Sequence, residues 1–384
     1  MKRFQSFLAS GLLACASVSA PALAADAGLW DVSGDFRIHF YAENWRDTRS
    51  GATDDDASSG TRFRLRLKRE MGENCRFQTR FAAAAADRAN DWNFYIRPHR
   101  DSGTAVNPGT ATFDEFFVQC QSLDSNSQWR FGRLQSNLDL PHMATRSLDR
   151  SQASSLNIGW TDGIAFRQKL GEQWYGEIVA QYNGADGNGQ TTRGPLTFDD
   201  SDSRVGFFGV LGSDADLGPV FMRALAVTVY PNALAAEGLS SALREDYVTA
   251  TFKLGAGWDL GDSSRRLVAV GEVGRAFETP RRFAVGLPGR GDADGWGWQL
   301  GADLVNVFPR HTVGLNYGRV DAGWLISNDF RQNNELAELR WQFKYSAALR
   351  FEFRARWRRE LERLAGASFL QRDRDVRVRT TWKF

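Results

Sequence analysis

Apolar and polar residues alternate singly along most of this chain, the periodicity of a β-strand with two unlike faces. Residues 374–384 show it most fully. Val376, Val378, Thr380, Trp382 and Phe384 fall on one face, and Arg377, Arg379, Thr381 and Lys383 on the other. In 62–68, Arg62, Arg64, Arg66 and Lys68 oppose Phe63, Leu65 and Leu67. In 32–42, Gly34, Phe36, Ile38 and Phe40 alternate with Asp35, Arg37, His39 and Tyr41. In 76–81, Arg76, Gln78 and Arg80 alternate with Phe77, Thr79 and Phe81. Further strands are expected at 113–120, 128–133, 164–168, 174–183, 204–211, 219–230, 246–255, 266–277, 295–307, 311–320, 335–344 and 349–358. That makes about 16, with no amphipathic helical pattern to supply a second layer.

The punctuation between strands is regular. Short turns near Gly72, Ser125, Gly171, 212–218, 261–264, Pro309 and Ser346 alternate with longer polar segments such as 87–109 and 184–202. The stretch around Asp54, Asp55 and Asp56 also reads as a polar loop. Short turns at one end and long loops at the other are the habit of an all-β, transmembrane, antiparallel up-and-down β-barrel. Strands of about 10 residues cross a bilayer when tilted. Closing the sheet satisfies every backbone donor and acceptor inside lipid, which an open sheet cannot do.

The first residues give the compartment. Met1-Lys2-Arg3 is a positive start, 4–18 is mostly apolar, and Ala22-Leu23-Ala24 is a small-x-small cleavage site. Residues 1–24 are therefore expected to be a cleaved signal peptide and 25–384 a single barrel domain in the bacterial outer membrane. Leu12-Leu13-Ala14-Cys15 offers a competing lipoprotein reading, but the apolar run continues past Cys15 to the better site. No later run is long enough for a membrane helix. The mean hydropathy of −0.42 does not argue against a barrel, because only every second strand residue meets lipid. Only 10 Pro against 27 Phe and 13 Trp suits many strands with aromatic belts at two interfaces. Cys75 and Cys120 remain after cleavage, near the same rim of neighbouring strands. They are read as a possible disulfide or as two free thiols.

Charge placement suggests a function. The signal takes Lys2 and Arg3, leaving the mature chain balanced at 46 basic and 46 acidic residues. If apolar faces meet lipid, the inward set comprises Arg62, Arg64, Arg66, Lys68, Arg76 and Arg80 near one terminus. Near the other it comprises Arg340, Lys344, Arg350, Arg354, Arg356, Arg358, Arg377, Arg379 and Lys383. Closure joins the two groups into one cationic wall, partly paired with Glu338 and Glu352, while many other acids sit in loops. A dry core would not tolerate such an array; a hydrated lumen would. A positive pore wall favours anions, and Arg suits phosphate and carboxylate. The expectation is a water-filled channel for small anionic solutes, with a general porin whose cationic wall faces an acidic one as the alternative. Residues 134–156 lack alternation and are a candidate constriction loop bringing Asp139, His142, Arg146, Asp149 and Arg150 into the lumen, or else an ordinary outer loop.

Other classes are disfavoured. None of His39, His99, His142 and His311 stands in a nucleophile setting, no metal-ligand spacing or phosphate loop is present, and no cofactor or nucleic-acid partner is expected. The first strand begins too close to the cleavage site for a plug domain. Outer-membrane lipid and lipopolysaccharide are the expected surroundings.

Four stretches carry a family resemblance: Trp129-Arg130-Phe131-Gly132-Arg133, Arg146-Ser147-Leu148-Asp149-Arg150, Trp160-Thr161-Asp162-Gly163-Ile164-Ala165-Phe166 and Gln181-Tyr182-Asn183-Gly184. Together they resemble the middle of the phosphate-selective porin O/P family of Gram-negative outer-membrane porins. That resemblance implies a 16-stranded, usually homotrimeric barrel with anion selectivity and a folded-in loop. Through 61–67 and Phe131-Gly132-Arg133 the chain is also similar to alginate-export barrels, which implies passage of an acidic polysaccharide.

Overall fold

The computed structural model describes residues 30–86, 95–96, 110–141, 147–150, 156, 158–182, 195–196, 205–238, 243–261, 264–327 and 330–384. The expected signal peptide, His99, His142 and Arg146 lie outside them. The strands are β1 (Asp31–Arg46), β2 (Thr53–Met71), β3 (Cys75–Ala86), β4 (Tyr95–Ile96), β5 (Thr110–Gln121), β6 (Ser127–Leu134), β7 (Thr161–Leu170), β8 (Trp174–Tyr182) and β9 (Val205–Ser213). They continue as β10 (Val220–Leu234), β11 (Glu245–Asp259), β12 (Arg266–Ala276), β13 (Trp296–Phe308), β14 (His311–Val320), β15 (Asn334–Lys344), β16 (Leu349–Glu360) and β17 (Arg372–Lys383).

Each long strand pairs antiparallel with its neighbours, β3 pairs directly with β5, and β17 returns to pair with β1. Setting aside the two-residue β4, which runs parallel to β5, the 17-stranded sheet is a closed barrel of 16 strands. Closure is completed by the last residue. Phe384 donates its N–H to the Gly34 carbonyl and accepts from the Gly34 N–H, and its ring stacks near Phe63. A Cβ on Gly34 would stand 2.4 Å from that ring, so the seam needs glycine there.

The outer face is apolar: Ile178, Leu300 and Leu315 are exposed, as are Val376 and Val378. Most inner-face residues away from the rims are buried. At the short-turn end, Phe308, His311, Trp341, Phe343 and Phe351 form a continuous aromatic belt. One expectation fails. Asp54, Asp55 and Asp56 are not loop but strand, because β2 stays paired with Trp45, Asn44 and Glu43 of β1. Polar residues on both faces imitate a loop in sequence, yet a hairpin standing clear of lipid has no need of an apolar face.

Cys75 and Cys120 are direct partners in the β3–β5 register, with Cα atoms 4.1 Å apart, and form a disulfide.

Candidate functional site

The interior has two unlike walls. The first spans β15, β16, β17, β1, β2, β3 and β5, and the strand period turns its arginines inward. Near the centre, Arg62 and Arg37 both reach Asp35 at 3.1 Å. Arg64 and Arg80 grip Asp114 at 2.9 and 2.7 Å, and Arg80 and Arg66 hold Glu115 at 2.7 and 3.1 Å. Asp114 and Glu115 are consecutive, so a regular strand would send one of them outward. A register shift in β5 opposite Arg80 and Phe81 admits an extra residue and turns both carboxylates in. Across the seam, Glu352 takes Arg377 at 3.0 Å and Arg379 at 2.6 Å, with Arg340 at 3.5 Å. Asp375 takes Arg354 at 2.7 Å, Arg356 at 2.8 Å and Arg358 at 3.5 Å. Glu338 holds Arg340 at 2.7 Å.

These contacts revise the expected wall. The cations are not bare: five inward carboxylates outside the expected pair, Asp35, Asp114, Glu115, Asp375 and Asp31, are threaded among them. Nor are they all bathed in water, since Arg62, Arg354 and Arg377 are almost fully buried. Cations still outnumber acids, and Asp35, Asp114, Glu115, Glu352 and Asp375 each bridge two or three of them, which lowers like-charge repulsion between strands. The access lies toward the short-turn end. There Arg66, Arg76 and Lys68 are part-buried, Lys68 pairing with Asp31 at 3.1 Å, and Arg350 is half-buried. Lys344 and Lys383 are exposed at that rim.

The second wall comprises β7 to β12. Its inner face carries Ala165, Val179, Phe208, Val210, Met222, Ala224, Ala226 and Val270, and Leu134, Leu138 and Leu140 pack on it. The segment after β6 therefore enters the barrel and lies along this wall. Its far end docks on β3, where Leu156, Ile158 and Trp160 cover Ala82 and Ala84. A Cβ on Gly60 would meet Leu156 at 2.3 Å, so β2 too is cut back to receive the segment.

A buried polar knot fastens the segment. Lys253 Nζ donates to Asp149 Oδ1 at 2.7 Å and to the Leu138 carbonyl at 2.9 Å, and pairs with Glu272 at 2.9 Å; it also meets Ser147 Oγ. Glu272 accepts from the Leu148 N–H at 2.8 Å and from Gln299 at 2.6 Å. Asp149 accepts from Thr251 Oγ1 at 2.8 Å. Burial pushes the Asp149 carboxyl up, but Lys253 and the hydrogen bonds from Lys253, Ser147 and Thr251 more than offset that and hold it below the usual carboxylate range. Arg150 meets Gln181 and Ser136 and lies over the Phe208 ring at 4.2 Å. Asp149 and Arg150 are thus turned into the wall rather than into an open eyelet. Asp139 is half-buried and lines a cavity of about 700 Å³ between the segment and the wall, with Arg167, Glu177, Asp214 and Arg266.

Toward the long loops, Leu148 joins Trp324, Leu325, Ile326, Val285 and Leu287 in a cluster built from loop residues, and Trp324 Nε1 donates to the Leu148 carbonyl at 2.9 Å. Lys253 and Glu272 were missed from sequence. Each stands between small or apolar inward neighbours, Thr251 and Gly255 beside Lys253 and Val270 and Gly274 beside Glu272, and a charge in that setting was the available signal.

A closed 16-strand antiparallel barrel with aromatic-belted outside, charged inside and an inserted segment after its fifth barrel strand has the architecture of outer-membrane porins. Solved structures with this fold include OprB of Pseudomonas putida, at 11% identity and TM-score 0.59, covering 93% of this chain and 94% of that one. An anion-selective porin from Comamonas acidovorans is similar at 12% identity and TM-score 0.53, covering 92% and 99%. OpdL of Pseudomonas aeruginosa is similar at 12% identity and TM-score 0.54, covering 92% and 98%. No protein-family model matches the chain, and no curated protein does either.

Proposed function

We propose that this chain is an outer-membrane porin that passes small anionic solutes, of the phosphate and carboxylate class, along its arginine wall. One observation carries the reading: inward arginines run unbroken across the β17–β1 seam and outnumber their carboxylates, while the opposite wall is largely apolar and its acids Glu272 and Glu177 are paired with Lys253, Arg130 and Arg167. An acidic facing wall would cancel the field transversely and leave a general pore. An apolar one leaves the excess positive charge to set selectivity. The similar Comamonas protein is an anion-selective porin, which agrees with this reading.

The test is reversal potential in planar bilayers under a salt gradient. Arg66, Arg76 and Arg350, which keep solvent access, are changed together to Ser. The wild-type channel is expected to favour chloride, and the triple variant to move clearly toward zero selectivity. An unchanged reversal potential would reject the arginine wall as the filter. Adding phosphate, a dicarboxylate or an oligouronate to the chloride current then sorts solutes, since the one that binds the wall blocks at the lowest concentration.

A further inference from the structure

The outer face carries a cross-strand band of charge at the long-loop end of four neighbouring strands. At the long-loop ends of β14 to β17, cross-strand register places Arg319 beside Glu335, Glu335 beside Arg359 and Arg359 beside Arg372. One pleat closer to the middle, Arg374 stands beside Trp357, Trp357 beside Ala337 and Ala337 beside Tyr317. The next pleat is Val376, Ala355, Leu339 and Leu315. A cationic band thus passes through an aromatic row into an apolar belt within three pleats.

Outward charge is costly at the bilayer middle and tolerated at the interface, where aromatic side chains collect. The band therefore marks the headgroup level of the leaflet on the long-loop side. Its acids do not neutralise it. Glu335 is shared by Arg359, at 2.7 Å, and the Tyr317 hydroxyl, at 2.9 Å. Arg319 has Asp321 at 3.2 Å. Arg372 and Arg374 are exposed and make no ion pair among the described residues. The band ends at β1 and β2, where Asn44, the partner of Arg374, donates to Asp55 at 2.7 Å.

We infer that this rim is a docking surface for the phosphorylated headgroup of a glycolipid in the outer leaflet. The inference rests on the outer-membrane reading above. Charge complementarity selects the occupant: guanidinium forks bind phosphate oxygens in pairs, and flanking Trp357 and Tyr317 fit a ligand whose other end is acyl chain. A free phosphate ion has no use for the aromatic row, and a second copy of this chain would bring arginine against arginine across a symmetric contact.

Native mass spectrometry of the full chain in detergent tests it, with bisphosphorylated lipid A and its dephosphorylated form as probes. The wild type is expected to retain the phosphorylated lipid about tenfold more tightly or better, and R359Q/R372Q/R374Q to lose that preference while keeping the heat-modifiable gel shift of a folded barrel. Lack of preference in the wild type, or its survival in the variant, would overturn the inference. So would competition by equimolar inorganic phosphate, which would make the site one for a free ion. A variant that changed oligomeric state without changing lipid retention would make the rim a contact between copies and equally end the proposal. Because a misfolded variant would not show the gel shift, the wild-type comparison of the two lipids stands independently. Planar-bilayer conductance of the same preparation separates the two readings: a conducting channel without lipid preference defeats this inference alone, and a non-conducting barrel defeats the porin reading.

Discussion

The two interior walls solve opposite problems with the same strand geometry. The arginine wall holds like charges at close spacing and survives by sharing each carboxylate among several guanidinium groups. Asp375 has three arginine partners and Glu352 has three. The facing wall is lined by Val, Ala, Phe and Met and survives by being covered, with the inserted segment as its lid. Charge on the first wall is redundant, whereas charge on the second is concentrated in Lys253, Asp149 and Glu272, each of which depends on the others. The lesson is that a barrel of this size divides its interior: one side is kept polar for solutes and the other dried out to anchor the element that narrows it.

Removing single charges should expose that difference first. Lys253→Met leaves Asp149 and Glu272 buried beside each other without a cation, a change expected to cost about 3–5 kcal/mol. Arg354→Met on the other wall should cost less, about 1–2 kcal/mol, because Asp375 keeps Arg356 and Arg358 and a crowded cation is lost. Urea unfolding of the refolded variants compares the two directly. Equal losses would mean that the walls do not differ in redundancy. The next effect comes from the lid. Leu140 is buried against the apolar wall, and Leu140→Ala is expected to cost about 2–4 kcal/mol and to raise single-channel conductance as the segment loosens. Ala84→Leu, which overfills the landing strip for Leu156, Ile158 and Trp160, should cost about 1–3 kcal/mol and alter conductance in the same direction. Conductance identical to wild type in both would show that the segment does not restrict the channel.

How much of this was legible depends on where each pattern has its physical cause. Strands facing lipid outside and charge inside must alternate, so the 62–68 part of β2, β16 and β17 could be read residue by residue. The second wall does not alternate: Val205 to Leu211 and Phe221 to Val229 are largely apolar on both faces. Such a strand must be covered on its inner side, and that was the unread signal that 134–158 comes in to cover it. Likewise the small residues Ala82, Ala84 and Gly60 meant space reserved for the segment. Asp114 escaped the alternation because a bulge turns it inward, and nothing in Phe113-Asp114-Glu115-Phe116 marks where the extra residue goes. Some carboxylates that pair the arginines lie beyond the adjacent strand, as Glu115 does for Arg66 and Asp114 for Arg64, so only register reveals them.

The smallest expected effect is a pH dependence confined to the second wall. Asp149 is held below the ordinary carboxylate value of 3.8 in the folded chain. A depressed folded value means that the group stabilises the fold above its unfolded value and that this contribution disappears as pH falls through the folded one. The groups facing it from every side are Lys253 and Thr251 on β11, Glu272 on β12 and Ser147 and Arg150 within the segment, and Lys253 is the cation that favours its charged form. Asp149→Asn should therefore lower the unfolding midpoint by a constant amount at neutral pH. The gap to wild type should begin to close only below the ordinary carboxylate range and vanish in stronger acid. Carboxylates of the arginine wall are present in both proteins and cancel in the difference. A gap that stayed constant down to strong acid would show that the Asp149 carboxylate contributes nothing through its charge, and the knot would then act by packing and hydrogen-bond geometry alone.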